Sequence, residues 1–269
     1  MSQDTQLKPI AIFAFCALCL SMLTINVNAL ENAEQDMAKN SVLALSIENI
    51  AANVDARIML MKMLANTIAN DTHIHQWVDK GFAKKDESVL VDKLGYLVQE
   101  YGLTSASFAD TKSNKYWNHE GFLRVLTPEI DTWYFAYLKS EQQDLISVYH
   151  DKNKNRVDLY VNYRQENGNG LSGIATSFDG VVNMLKNSDL SQNGELFIVD
   201  GDGKVQLHPD PKIAGQADLQ TLFSENIAKA LLRPQKHNTV LNSGKTDKYL
   251  LSSFIPSMNW YVVAEINKH

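Results

Sequence analysis

From Glu31 to Asn70 the chain runs about 40 residues without a proline or a glycine, the residues that interrupt a helix most strongly. Leu43, Ile47, Ile50, Val54, Ile58, Met61, Ala65 and Ile68 recur at steps of three and four, which places them on one helical face. At 1.5 Å per residue such a helix is about 60 Å long, more than one globular module needs. The length suggests a spine passing two modules, or a seam along which two chains form a homodimer. Met59, Met61 and Met63 end the run. They are expected to belong to the core stripe, with a binding surface as the alternative.

The segment before the spine has the pattern of an export signal. Lys8 and the free amine give a weakly positive start, Ile10 to Ile25 form an apolar run, and Val27-Asn-Ala29 places small residues where a signal peptidase reads. The expectation is a signal peptide over 1–29, cleaved after Ala29, and a periplasmic protein. An uncleaved inner-membrane anchor is the alternative, although the apolar run is short beside the roughly 20 residues of a spanning helix. Both cysteines, Cys16 and Cys19, lie in this segment, so the mature chain has no disulfide and depends on an ordinary core. The net charge of −6, with no basic cluster, excludes a nucleic-acid partner.

Beyond the spine, His73 to Tyr101 reads as one or two helices broken near Gly81. The period then changes to that of strands at Thr104–Phe108, Lys115–Asn118, Ile146–His150, Asp158–Arg164 and Leu171–Ser177. Asp131–Ser140 reads as a short helix across that sheet and Asp179–Lys186 as a helix leaving it. A second set follows. Glu195–Val199 and Lys204–His208 flank the hairpin signal Asp200-Gly-Asp-Gly203; Leu219–Leu232 reads as one helix; Thr239–Asn242, Lys248–Phe254 and Trp260–Ile266 complete a small antiparallel sheet. The fold class is α+β: a long N-terminal helix and two stacked antiparallel-sheet modules. The expected divisions are 1–29 signal, 30–70 long helix, 71–187 first module and 188–269 second module.

Five pieces carry a resemblance: Ser105-Ala-Ser-Phe108 with Tyr116-Trp117; Asp131-Thr-Trp-Tyr-Phe135; Tyr149-His-Asp151; Leu159-Tyr-Val-Asn-Tyr-Arg164; and Gly170-Leu-Ser-Gly-Ile174. Their order and spacing, with Phe197-Ile-Val-Asp-Gly-Asp-Gly203 and His208-Pro-Asp210 in the second set, resemble the double Cache domains of bacterial receptors, which are PAS-like sensors. The likeness covers about Asn40 to Ile266. It implies a membrane-distal module that holds a small-molecule ligand, followed by a membrane-proximal module. It also implies that Trp133, Tyr134, Tyr149 and Asp151 line the pocket. Amino-acid-binding members place an arginine two residues before the tryptophan; this chain has Asp131. Those members also carry an aspartate shortly after the glycine-rich turn, where this chain has Phe178 and then Asp179.

Aromatic faces with polar tips suit a half-wet cavity. Asp131 and Asp151 would add negative charge, so the expected ligand is a small amine or other cation, held by cation–π attraction and charge-assisted hydrogen bonds. Asp131 equally suits the cap of the helix starting at Thr132. Asp151-Lys-Asn-Lys-Asn155 begins like a calcium loop but has Arg156 and Asn162 where the loop needs Gly and Glu; a hairpin turn is expected. The scattered histidines form no metal pattern. No cofactor is implied. With no cysteine in the mature chain, no nucleophile elbow and no phosphate loop, an enzyme is not expected. No output domain follows Ile266, so the sensor is expected to report to a partner, which could be an inner-membrane sensor kinase, a chemoreceptor or a diguanylate cyclase. A non-binding interaction subunit and a truncated, tethered receptor are the alternatives.

Overall fold

The computed structural model describes residues 9–151, 156–178, 187, 190, 194–210, 212–242 and 248–267. The first helix, α1, runs unbroken over Pro9–Ala69; side chains are described from residue 38 onward. Residues 1–8 of the expected export signal lie outside the described residues, and 9–29 form the start of α1. Among the described residues no helix is long and apolar enough to cross a membrane. By its contacts the chain divides into residues 1–46 and a compact unit of residues 47–269.

Within the second unit the stripe predicted from spacing is buried: Ile47, Ile50, Val54, Ile58, Met61, Ala65 and Ile68 are each at most 7% exposed. The methionine end divides. Met61 is core, whereas Met59 and Met63 are 52% and 62% exposed, because steps of two on a helix turn side chains to different faces. The expectation that all three belong to the core stripe fails for two of them.

Helix α2 (Thr72–Asp79) starts at Asp71, whose carboxylate accepts the backbone N–H groups of His73 and Ile74, a standard N-cap. Lys93 bonds the same carboxylate. Burial opposes ionisation of Asp71, but the Lys93 ammonium and the two N–H groups outweigh it and hold its pKa below the usual value. The chain turns at Gly81 (φ +83°), passes a short 3-10 turn, Lys84–Asp86, and continues as α3 (Ser88–Tyr101), which ends on Gly102 in the left-handed region. Glycine accepts that conformation without a Cβ penalty.

The first sheet has six antiparallel strands in the order β3-β2-β1-β6-β5-β4. They are β1 (Ser105–Asp110), β2 (Lys115–Asn118), β3 (Gly121–Val125), β4 (Asp144–Asp151), β5 (Arg156–Arg164) and β6 (Gly170–Ser177). Edge strand β3 is absent from the strands expected on sequence. Helix α4 (Thr132–Ser140) lies between β3 and β4 in the chain. Its Tyr134 and Tyr137 enter a core with Ala109, Leu126 and Leu171. The predicted helix at Asp179–Lys186 lies outside the described residues.

The second sheet has five antiparallel strands in the order β8-β7-β11-β10-β9. They are β7 (Gly194–Val199), β8 (Val205–Leu207), β9 (Asn238–Asn242), β10 (Lys248–Ile255) and β11 (Trp260–Asn267). Asp200 ties the β7–β8 turn by accepting the N–H groups of Asp202 and Lys204. The single helix expected over Leu219–Leu232 is two: α5 (Leu219–Leu222) and α6 (Glu225–Leu231). Ser224 interrupts it by leaving helical geometry and capping Ile227 N–H with its hydroxyl. Leu219, Ala228 and Leu231 pack on Phe197, Val199, Leu250, Tyr261 and Val263, each large side chain contributing about 1.5–3 kcal/mol by burial.

The spine holds both modules by polar contacts. Arg57 donates to Thr176 on β6, and Lys62 pairs with Asp144 on β4. Asp55 accepts Ser257 N–H in the β10–β11 turn, and Glu48 pairs with His237.

Candidate functional site

A cavity of about 430 Å³ opens on one face of the first sheet. Its floor follows from strand alternation. Ser105 and Ser107 on β1, Leu145, Ser147 and Tyr149 on β4, Tyr160 and Asn162 on β5, and Gly173 and Ala175 on β6 all line it. They are cross-strand neighbours: Leu145, Asn162, Gly173 and Ser107 form one row, and Ser147, Tyr160, Ala175 and Ser105 the next. Trp133 on α4 lines the wall. A Cβ at 173 would sit 2.7 Å from Asn162 Oδ1 and 2.8 Å from Ser107 Oγ, inside van der Waals contact, so glycine leaves both side chains in place.

Two more lining residues come from the β2–β3 edge, Tyr116 and Arg124. The register shifts by one residue between them and their neighbours: Trp117 faces Phe122, but Tyr116 faces Arg124, leaving Leu123 as the extra residue of a bulge. A bulge re-aims the side chains that follow it. Here Phe122 turns to Trp117, ring centroids 5.1 Å apart, while Arg124 turns to the cavity. Tyr116 is hydrogen-bonded to Ser107, and burial pushes its hydroxyl pKa upward.

Arg124 pairs with Asp131. The Asp131 side chain is 2% exposed and accepts a second bond, from Thr127 N–H at 3.0 Å. Burial alone would raise its pKa, but the guanidinium and this N–H outweigh that, so the carboxyl ionises below its usual range. Among the described lining residues Arg124 bears the only formal charge, and half of its side chain is exposed.

The predicted site residues therefore part company. Trp133 and Tyr149 line the cavity, 42% and 58% exposed. Tyr134 does not: it is fully buried in the core beside Tyr137, its hydroxyl donates to Asn114, and burial drives its pKa well above the ordinary phenol value. Asp131 offers no free charge to a cation, because Arg124 neutralises it. It occupies the N-cap position of α4, yet its side chain makes no capping bond there; the Arg124 and Thr127 bonds use both carboxylate oxygens. Asp151 ends β4, but its side chain lies outside the described residues. Sequence reasoning missed Arg124, since the bulge hides it from any period-two pattern. Among the described residues no group of three His, Cys, Asp or Glu could hold a metal.

No family model matches the chain. The methyl-accepting chemotaxis protein McpG of Pseudomonas putida is 23% identical over 262 residues, 96% of this chain. The chain spans about two-fifths of that relative's length. The ligand-binding domain of the Pseudomonas aeruginosa amino-acid chemoreceptor PctC, solved with GABA, superposes with a TM-score of 0.57 at 18% identity, covering 83% of this chain and 95% of that one. The extracellular domain of the putative histidine kinase vpHK1S-Z8 gives 0.66 at 12% identity, covering 87% and 95%. The fold is of the double Cache type, as in the extracellular domains of those receptors. Within that fold the cavity lies on one face of the first, six-stranded sheet. Position 131, where the sequence has aspartate, faces Arg124 of β3 across an ion pair.

Proposed function

We propose that the chain is an extracytoplasmic sensor whose first module, 71–187, captures a small molecule bearing a carboxylate. The second module, 188–269, would be membrane-proximal and pass occupancy to a signalling partner such as a kinase, a chemoreceptor or a diguanylate cyclase. Export through the 1–29 signal, with a periplasmic location, belongs to the same reading. The observation that carries it is the cavity with Arg124 as its described charge. A guanidinium beside hydroxyls and an amide matches a carboxylate, which accepts several N–H and O–H bonds at once. Tyr149 and Trp133 supply aromatic surface for the rest of the ligand. The small amine or other cation expected from sequence is the less favoured reading, because Asp131 is buried with both oxygens bonded while half of the Arg124 side chain is exposed. The GABA bound in PctC carries both a carboxylate and an amine, and its carboxylate is the part that Arg124 suits.

A thermal-shift screen tests the proposal. Each carboxylate is paired with its primary amide and with the amine of the same carbon skeleton. A ligand at a hundred times its dissociation constant adds about 2.7 kcal/mol of stability, a shift of several degrees. Carboxylates should raise the melting temperature where the matched amides and amines do not. Stabilisation by amines alone would reverse the ligand class. Stabilisation by nothing in the panel would argue for an interaction subunit without a ligand.

A further inference from the structure

The cavity on the first sheet is graded from a charged end to an apolar end. Arg124 stands at the β3 side and shares that end with Tyr116 on β2 and with Ser105 and Ser107 on β1, which bring hydroxyls. The middle of the floor is β6, where Gly173 and Ala175 offer nothing larger than a methyl group. Tyr160 on β5 and Leu145 and Tyr149 on β4 form the far end, with Ser147 between the last two. Asn162, also on β5, is buried and presents little to the cavity. Ser107 and Leu145 belong to one cross-strand row and are three strand spacings apart, roughly 14 Å along the sheet.

The far end leaves aromatic surface in water. Tyr149 is 58% exposed, and Trp133 on the wall is 42% exposed. Such faces are stabilised when an apolar body covers them. An ammonium would find no carboxylate there. Among the described lining residues none is acidic. Asp131 has both oxygens bonded, to Arg124 and to Thr127. Asp158, the next residue of β5 on the same face, is buried and engaged.

We infer that the ligand is a monocarboxylate with an extended apolar body, alkyl or aryl-alkyl, and no ammonium group. Its carboxylate sits on Arg124, and its body lies over Gly173 and Ala175 to reach Tyr160, Leu145 and Tyr149. The inference rests on the carboxylate reading above and narrows it. With C–C bonds of about 1.5 Å, a zigzag chain of roughly ten bonds spans the floor from β1 to β4. A shorter acid reaches Arg124 but leaves the far end wet. The small residues of β6 let the body lie close against the sheet, so the length of the chain converts into buried apolar surface.

Titration calorimetry of the purified full chain tests this. The ligands are acetate, butyrate, hexanoate, octanoate and decanoate, with 1-octanol and the isosteric pair pentanoate and 4-aminobutyrate alongside. Affinity should rise about fourfold per methylene, the equivalent of about 0.8 kcal/mol, and level off once the chain passes β4. Pentanoate, which has a methyl group where 4-aminobutyrate has its ammonium, should bind more than tenfold tighter. Arg124→Met should weaken every acid by a similar factor, and Tyr149→Ser should flatten the rise beyond hexanoate, with circular dichroism showing each variant folded. Short acids that bind through Arg124 with no gain from length would overturn the inference and leave the carboxylate reading standing. So would 4-aminobutyrate binding as tightly as pentanoate, with its ammonium held by the aromatic faces. Binding of 1-octanol as tight as that of octanoate, in wild type and in Arg124→Met, would overturn both. An absence of binding across the whole series would do the same.

Discussion

Arg124 and Asp131 join the edge of the cavity to the stability of the fold. Replacing Arg124 with methionine leaves a buried carboxylate holding only the Thr127 N–H, which should cost about 1–3 kcal/mol, measured by urea denaturation at neutral pH. The pH dependence has a definite sign. Asp131 and Asp71 both ionise below their usual range in the folded chain, so their stabilisation is full above the unfolded carboxylate pKa of about 3.9 and is lost as pH falls through the folded values. The wild-type chain should therefore hold its stability from neutral pH down to about 5 and lose it below about 4. Lys93→Met should move the acid-unfolding midpoint upward, as followed by circular dichroism; an unmoved midpoint would mean the Lys93–Asp71 bond does not hold in solution. At this scale the sequence was half legible. Trp133 and Tyr149 could be placed at the cavity because the motifs that carry the double Cache resemblance include them. Tyr134, one residue along the same helix, turns into the core. Arg124 follows a bulge that no periodicity announces.

The elements were more legible than their ends. The spine, five strands of the first sheet and the β7–β8 hairpin follow from periods of 3.6 and 2 and from turn chemistry. Strand β3 was hidden because its five residues are bulged and three of its apolar side chains face solvent. The break between α5 and α6 was hidden because no proline or glycine marks it; the signal was Ser224, a good cap inside an apolar run. Ser224→Ala should cost about 1 kcal/mol and lower the melting temperature by about 2–4 °C, without touching ligand binding. Gly173→Ala tests the floor of the cavity. The added methyl must displace Asn162 or Ser107, both buried polar residues, at about 1–3 kcal/mol. Affinity for the ligand should fall in calorimetry more than stability falls in denaturation.

For the molecule as a whole, one helix carries contacts to both sheets, and β4 joins the cavity to that helix. Leu145, Ser147 and Tyr149 face the cavity, and Asp144 at the start of the same strand binds Lys62. A ligand that orders β4 can bias the spine only as far as it prefers one arrangement over another. In hydrogen exchange a saturating ligand should therefore protect β4, β5 and β6 strongly and β7 to β11 weakly. The order of long helix, sheet and second sheet was legible because each switch of period is written in the chain. The charge of the cavity was not, because it depends on which side of a bulged edge strand one arginine falls. Titration calorimetry of the best carboxylate against wild type, Arg124→Lys and Arg124→Met tests the central claim most directly. Binding should weaken more than tenfold in Arg124→Met, a loss above about 1.4 kcal/mol, and less in Arg124→Lys, which keeps the charge but not the fork of donors. Unchanged affinity in a folded Arg124→Met protein would contradict it.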